Sequence, residues 1–121
     1  MRETSVVARR ITLAQVRRIA LALPAVEEGT SYGTTAFKVR GKLFLRLRDD
    51  DSTLVVKIDR DERAALIVSA PKIYSVTDHY VNHPWILVSL AEIGVAELEE
   101  RVTEAWRLTA PAKLRAEFDA G

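Results

Sequence analysis

The residues best suited to chemistry in this sequence are the cations at positions 37–48. The segment reads F-K-V-R-G-K-L-F-L-R-L-R, and its odd positions are apolar except for Gly41. The even positions, except Phe44, hold the basic residues Lys38, Arg40, Lys42, Arg46 and Arg48. The segment contains these five cations and no acidic residue, whereas the whole chain has a net charge of only +1. The positive charge is therefore concentrated in this segment. Such a concentration of cations can neutralise phosphates or another anionic partner.

The alternation predicts a β-hairpin with one apolar face and one basic face. Keeping Phe37 on the same face as Leu45 and Leu47 requires an odd number of residues in the connecting loop. We therefore predict a three-residue turn in which Gly41 supplies the left-handed residue. Phe44 then lies among the cations, where its ring is available to stack on a base or contact a groove wall.

Two interpretations of this basic face remain open. As a nucleic-acid surface, it uses Lys38, Lys42, Arg46 and Arg48 to neutralise phosphates, with Arg40 at the tip. Lysine and arginine also keep an exposed sheet face soluble and protect a strand edge from pairing. The acidic residues 49–51 follow the hairpin and repel phosphates, so we place the candidate site near the tip, at residues 38–42.

Further candidate binding residues follow the hairpin in the sequence. Lys57 ends the apolar segment L-V-V-K, where it either extends the basic face or caps a strand end. His79, Tyr80 and Trp85 are candidates for lining a small pocket on the side of a loop. His79 and His83 have no third ligand at the spacing of a metal site, so we predict no metal.

The sequence gives little support for an enzyme. Glu27 and Glu28 are adjacent in a segment that we expect to be a loop, whereas general acid–base catalysis needs positioned and desolvated groups. The serines lack the setting of a nucleophile elbow, and the five glycines form no phosphate-binding loop. We therefore predict a protein that is not an enzyme and has no cofactor.

The elements that must position these residues follow from capping signals and periodicity. Thr12 and Asp59 are predicted to begin two helices, and helical spacing predicts a third from Val95 that ends before Pro111. Residues 24–34 contain proline and glycine and predict a connection. Strands are predicted at 37–48, as a hairpin, and at 54–58, 73–76 and 85–90. This order predicts an α+β fold of two layers, α-β(3)-α-β(2)-α, with one antiparallel sheet.

Composition limits the class of protein. A chain of 121 residues with 48% hydrophobic and 29% charged residues fits a single domain over 1–121, with loosely ordered ends at 1–10 and 113–121. The absence of cysteine excludes disulfides and thiol nucleophiles and is compatible with a cytoplasmic location. No apolar run approaches the roughly 20 residues of a membrane span, and no secretory signal is recognisable. We therefore expect a cytoplasmic protein without a membrane partner.

Five segments, taken in order, resemble the MmcQ/YjbR family of small bacterial proteins over nearly the whole chain. They are A-L-P-A-V-E-E (22–28), F-K-V-R-G-K-L-F (37–44), L-V-V-K (54–57), W-I-L-V-S-L (85–90) and A-P-A-K-L (110–114). The resemblance implies the same α-β(3)-α-β(2)-α fold, with a likeness to secretion chaperones. It also implies DNA binding through wing-like hairpins. The sequence departs from the family at Ala112, where a basic residue often follows the proline, and at Pro84.

Two functions from different classes are compatible with these observations. In the first, the protein is a DNA-binding module that uses Lys38, Arg40, Lys42, Phe44, Arg46 and Lys57. In the second, it is a protein or peptide interaction module, in which the free sheet face or the loop around His79, Tyr80 and Trp85 binds an apolar segment. A contiguous exposed apolar patch favours the second function, and converging cations favour the first.

Overall fold

The structure, a computed structural model, describes residues 10–121. Nearly all of the end predicted at residues 1–10 to be loosely ordered therefore lies outside the described residues. The elements in chain order are α1 (Leu13–Leu21), β1 (Val26–Ser31), β2 (Thr34–Val39), β3 (Lys42–Leu47), β4 (Thr53–Lys57), α2 (Arg60–Ser69), β5 (Tyr74–Ser75), β6 (Trp85–Ser89), α3 (Val95–Thr109) and α4 (Ala112–Ala120). These elements confirm an α+β fold with one antiparallel sheet.

The sheet has the strand order β1-β2-β3-β4-β6-β5, and each neighbouring pair is antiparallel. Helix α3 packs on β3 and β4, α1 packs on β1 and α3, and α2 lies against β5 and β6. The helix-covered face buries Phe37, Leu45, Leu54, Val56 and Ile86 completely. Because side chains alternate along a strand, the other face carries Leu43, Arg46, Val55, Lys57 and Trp85, and we call it the open face.

The predicted helix starts are confirmed by their caps. Thr12 and Gln15 form a reciprocal capping box ahead of α1. The Asp59 carboxylate accepts the backbone N–H groups of Asp61 and Glu62 at 3.1 and 3.2 Å, which begins α2. The chain continues as α4 after Pro111, where we expected a loosely ordered end. No helix within residues 10–121 is both long enough and apolar enough to cross a membrane.

Strand β1 occupies part of the segment 24–34, which we predicted to be only a connection. That prediction was wrong because β1 lies at the edge of the sheet with most of its residues exposed, so its sequence shows no alternation. A two-residue turn joins β1 to β2, and its residues Tyr32 and Gly33 have φ of 54° and 79°. Positive φ at both positions is typical of the type I′ turns that match the twist of a hairpin.

The hairpin of β2 and β3 lies where the sequence predicted it, but its turn differs. Val39 lies opposite Lys42, so the turn has two residues, Arg40 and Gly41, with φ of 51° and 81°. The predicted three-residue turn is therefore wrong. The odd residue is Phe44 instead, which forms a β-bulge because Lys38 pairs with Leu43 while Phe37 pairs with Leu45.

The bulge moves side chains between the two faces of the sheet. Phe44 is completely buried in the core, so its predicted role as an exposed stacking ring is wrong. Lys42 lies opposite Val39, a core residue, and so projects from the helix-covered side of the turn, whereas Arg46 lies on the open face. The predicted basic face is thus divided between the two sides of the sheet.

Candidate nucleic-acid interface and aromatic pocket

Two exposed cations lie at the turn of the β2–β3 hairpin. Arg40 occupies the left-handed first position of the turn, and Lys42 begins β3 directly after it. Arg40 also borders a recess of about 280 Å³ together with Pro111, Lys113 and Glu117. We call Arg40, Lys42 and Lys113 together the hairpin end. Sequence reasoning missed Lys113, because only the fold brings α4 beside the turn.

The hairpin end favours an anionic partner. Its three cations take no part in the ion pairs formed within residues 10–121. The recess is bordered by the first turn of α4, whose N-cap Pro111 supplies no side-chain hydrogen bond. The partial positive charge at a helix N-terminus adds to that of the side chains, although Glu117 opposes it.

Lys38 is less available than the hairpin end. It is half-buried and lies directly opposite Glu27 of strand β1. Opposite charges on directly paired strands attract each other, so Glu27 offsets part of the Lys38 charge.

The acidic turn lies at the opposite end of the hairpin. The Asp50 carboxylate accepts the backbone N–H groups of Ser52 at 2.9 Å and Thr53 at 3.0 Å. The hydrogen bond from Ser52, with smaller contributions from Thr53 and the charge of Arg48, lowers the pKa of Asp50 below its usual range. Negative charge is therefore fixed away from the hairpin end.

Arg46 is a buried cation on the open face and is not an exposed phosphate contact. Its side chain and backbone together are 8% exposed. The guanidinium donates hydrogen bonds to the Tyr80 hydroxyl and, at 3.3 Å, to Oγ1 of Thr34. It also lies 5.2 Å from the centre of the Tyr32 ring. The predicted exposure of Arg46 is wrong because the 77–84 loop covers this part of the sheet.

The three predicted pocket residues meet in one cavity on the open face. The cavity has a volume of about 290 Å³ and is lined by Tyr32, Leu43, Arg46, Val55, His79, Tyr80, His83 and Trp85. His79 and His83 are exposed on the side of the loop, and the ring of His79 meets that of Tyr80 edge-on. We call this cavity the aromatic pocket.

Lys57 lies beside the aromatic pocket. It shares a face with Val55, two residues earlier, which selects the open face from the two placements that the sequence left open. The Lys57 Nζ atom lies 5.1 Å from the centre of the Trp85 ring. This distance is within the range of cation–π attraction.

Arg63 positions the loop that covers the pocket. Its guanidinium donates to four backbone carbonyls, at distances of 2.8 to 3.3 Å, which belong to Tyr80, Val81, His83 and Trp85. Sequence reasoning missed this residue. The available signal was the spacing along the helix. Arg63 precedes Leu66 by three residues and Ile67 by four, and residues at these spacings lie on the same side of a helix, here the inward side of α2.

A comparison with protein-family models matches residues 21–108 to the YjbR family. The matched segment is most of the chain. This protein belongs to the YjbR family. The YjbR segment contains the hairpin turn, the aromatic pocket and the 77–84 loop, whereas Lys113 lies after it.

Relatives of this YjbR protein include two mycobacterial proteins without an assigned function. The uncharacterized protein Rv2570 of Mycobacterium tuberculosis and the uncharacterized protein Mb2600 of Mycobacterium bovis are each 46% identical to it over 56 residues. The alignments cover 46% of this chain and 43% of each relative. The chain therefore spans less than half the length of the curated relatives it matches.

A solved structure has the same fold as this YjbR protein. It is the crystal structure of protein DR2400 from Deinococcus radiodurans, described as a DUF419 domain. The TM-score is 0.70, and the match covers 80% of this chain and 77% of that chain at 21% sequence identity. At this level of identity, the likeness concerns the fold alone.

Proposed function

We propose that this YjbR-family protein is a DNA-binding module in which the hairpin end contacts phosphates. The observation that carries the proposal is the exposed guanidinium of Arg40 at a φ of 51°. A non-glycine residue in the left-handed region costs on the order of 1 kcal/mol. Turns of this type usually hold Asn, Asp or Gly at that position. An arginine at a position with such a conformational cost supports a binding role for its side chain.

The surroundings of Arg40 support the same function. Lys42 and Lys113 are exposed, and the N-terminal turn of α4 adds a partial positive charge beside the recess. Contacts of this kind position a protein on the phosphate backbone and carry no sequence information of their own. The proposed activity is therefore non-enzymatic binding with little dependence on base sequence.

The alternative function, a protein or peptide interaction module, has less support. Among residues 10–121, the exposed large apolar side chains are spread over α1, the β1–β2 turn, α2, the 77–84 loop and α3. They are Leu21, Tyr32, Val68, Val81, Val95 and Leu108, and the last two share α3. The apolar part of the open face is partly covered by the 77–84 loop. This arrangement favours contacts with a charged partner over burial of an apolar segment.

The salt dependence of DNA binding tests the proposal. Each phosphate contact that releases a counterion contributes about −0.9 to the slope of log K, the logarithm of the binding constant, against log salt concentration. Three contacts therefore give a slope near −2.7. Affinity for a labelled duplex, measured by fluorescence anisotropy, should then weaken about 40-fold between 50 and 200 mM salt. No binding at the lower salt concentration, or binding that salt does not weaken, would contradict the proposal.

A further inference from the structure

The aromatic pocket contains a buried cation, Arg46, whose hydrogen-bond and ring partners within residues 10–121 are all neutral. Arg46 contacts the hydroxyl groups of Tyr80 and Thr34 and the ring of Tyr32. It takes no part in the ion pairs found in the described part of the chain. Arg63, which is equally buried, instead has its charge compensated by four carbonyl oxygens. Because buried charges are normally paired, the pocket favours an anionic ligand at Arg46.

The walls of the pocket favour a flat aromatic ligand. The rings of Tyr32, Tyr80 and Trp85 border it, and Leu43 and Val55 form an apolar floor on the sheet. Tyr32 is 87% exposed although it is a large aromatic residue, and it occupies a left-handed turn position. Exposed rings of this kind are stacking platforms for nucleobases. Of the residues that the structure describes, those lining the pocket include no acidic one.

The size and charge of the pocket narrow the ligand class further. A volume of about 290 Å³ corresponds to about ten water volumes, which is room for a nucleobase of roughly ten non-hydrogen atoms, so the sugar of a nucleotide must lie at the open side of the pocket. Lys57, whose Nζ atom lies 5.1 Å from the centre of the Trp85 ring, supplies a second cation next to the Trp85 wall of the pocket. Two cations suit a phosphate monoester, which carries close to two negative charges at neutral pH, better than a single carboxylate.

We propose that the aromatic pocket binds a nucleotide, with the base against the aromatic rings and the phosphate at Arg46 and Lys57. Two sources offer a base joined to a phosphate: a free nucleoside monophosphate, whose phosphate carries close to two negative charges, and an unpaired nucleotide within a DNA strand, whose phosphodiester carries one. The site shares no residue with the hairpin end, so the proposal goes beyond the DNA-binding function and does not depend on it.

Calorimetric titration with adenosine monophosphate tests the ligand class. We expect saturable binding of adenosine monophosphate. Adenosine and inorganic phosphate should bind at least about tenfold more weakly, because one lacks the charge and the other lacks the ring. Benzoate, a flat ring with a carboxylate, should also bind more weakly. No saturable binding of adenosine monophosphate, or equal affinity for benzoate, overturns the nucleotide assignment.

Two variants test the position of the site. Tyr32→Ser changes an exposed side chain and should leave folding intact, and Arg46→Gln removes the buried cation. Each should weaken adenosine monophosphate binding at least about tenfold. The matched control is Arg48→Gln, which changes an arginine of the same segment outside the pocket and should leave the affinity unchanged. Unchanged affinity in Tyr32→Ser overturns the proposal even if Arg46→Gln fails to fold.

Competition identifies the source of the nucleotide. A single-stranded oligodeoxyadenylate that displaces adenosine monophosphate from the pocket supports an unpaired nucleotide of a strand. One that binds elsewhere without displacing it supports a free nucleotide. If a DNA duplex binds and adenosine monophosphate fails to bind, this inference is overturned and the DNA-binding proposal stands. If adenosine monophosphate binds and the duplex fails to bind, only the DNA-binding proposal is overturned.

Discussion

The Arg63→Ala variant is expected to unfold with a free energy about 2 to 4 kcal/mol lower than that of the parent chain. Arg63 is 8% exposed, and its guanidinium donates to carbonyls at 2.8, 2.9, 3.0 and 3.3 Å. Truncation leaves these carbonyls without their donor. It also releases the 77–84 loop, whose Tyr80 hydroxyl accepts a hydrogen bond from Arg46. Stability and pocket geometry should therefore decline together.

Arg60→Ala is the matched control for this prediction. Arg60 lies on the same helix and donates to the carbonyl of Asn82 in the same loop, but its side chain is exposed. Its removal should cost no more than about 0.5 kcal/mol, as is usual for surface positions. Urea unfolding measures both variants. Similar losses in the two variants would show that the loop does not depend on the buried guanidinium.

The Arg40→Glu, Lys42→Glu double variant is expected to bind duplex DNA about 100-fold more weakly than the parent chain at moderate salt. Two phosphate contacts are lost and two repulsive charges are introduced at the hairpin end. Both side chains are exposed, and neither takes part in an ion pair within the part of the chain that the structure describes. Thermal unfolding should therefore change little while binding is lost.

A second double variant, Arg18→Glu with Lys72→Glu, separates location from net charge. Arg18 lies on α1 and Lys72 lies between α2 and β5, and both are exposed. The change in net charge is identical to that of the hairpin variant. We expect it to weaken binding only through the general field of the protein, by a few-fold at most. Equal losses in the two variants would mean that binding follows total charge and does not involve the hairpin end.

The helices and the position of the hairpin could be predicted from the sequence, because their signals are local. Thr12 and Asp59 cap helices through groups three residues away or fewer. The bulge at Phe44 could not be predicted from the alternating pattern. A three-residue turn and a two-residue turn followed by one extra strand residue both keep Phe37, Leu45 and Leu47 on one face, so the pattern does not distinguish them. That ambiguity put Phe44 on the wrong face.

The candidate sites depend on contacts between distant segments. Arg46 reads as an exposed strand cation in the sequence, but it is buried by Tyr80, 34 residues further along the chain. His79, Tyr80 and Trp85 were identified as pocket residues from their types. Their partner Tyr32 was missed because strand β1 has no alternating pattern. The structure of an edge strand, or of a sheet face covered by a loop, depends on tertiary packing. The alternation of apolar and polar residues along a strand carries no information about such packing.

The most direct test of the DNA-binding account is chemical-shift mapping of the ¹⁵N-labelled protein during titration with a DNA duplex. If the hairpin end contacts phosphates, the largest shifts should fall on the backbone amides of residues 39–43 and 112–115, and the acidic residues 49–51 should change little. Shifts that leave both hairpin-end segments unchanged while another surface responds would contradict the account.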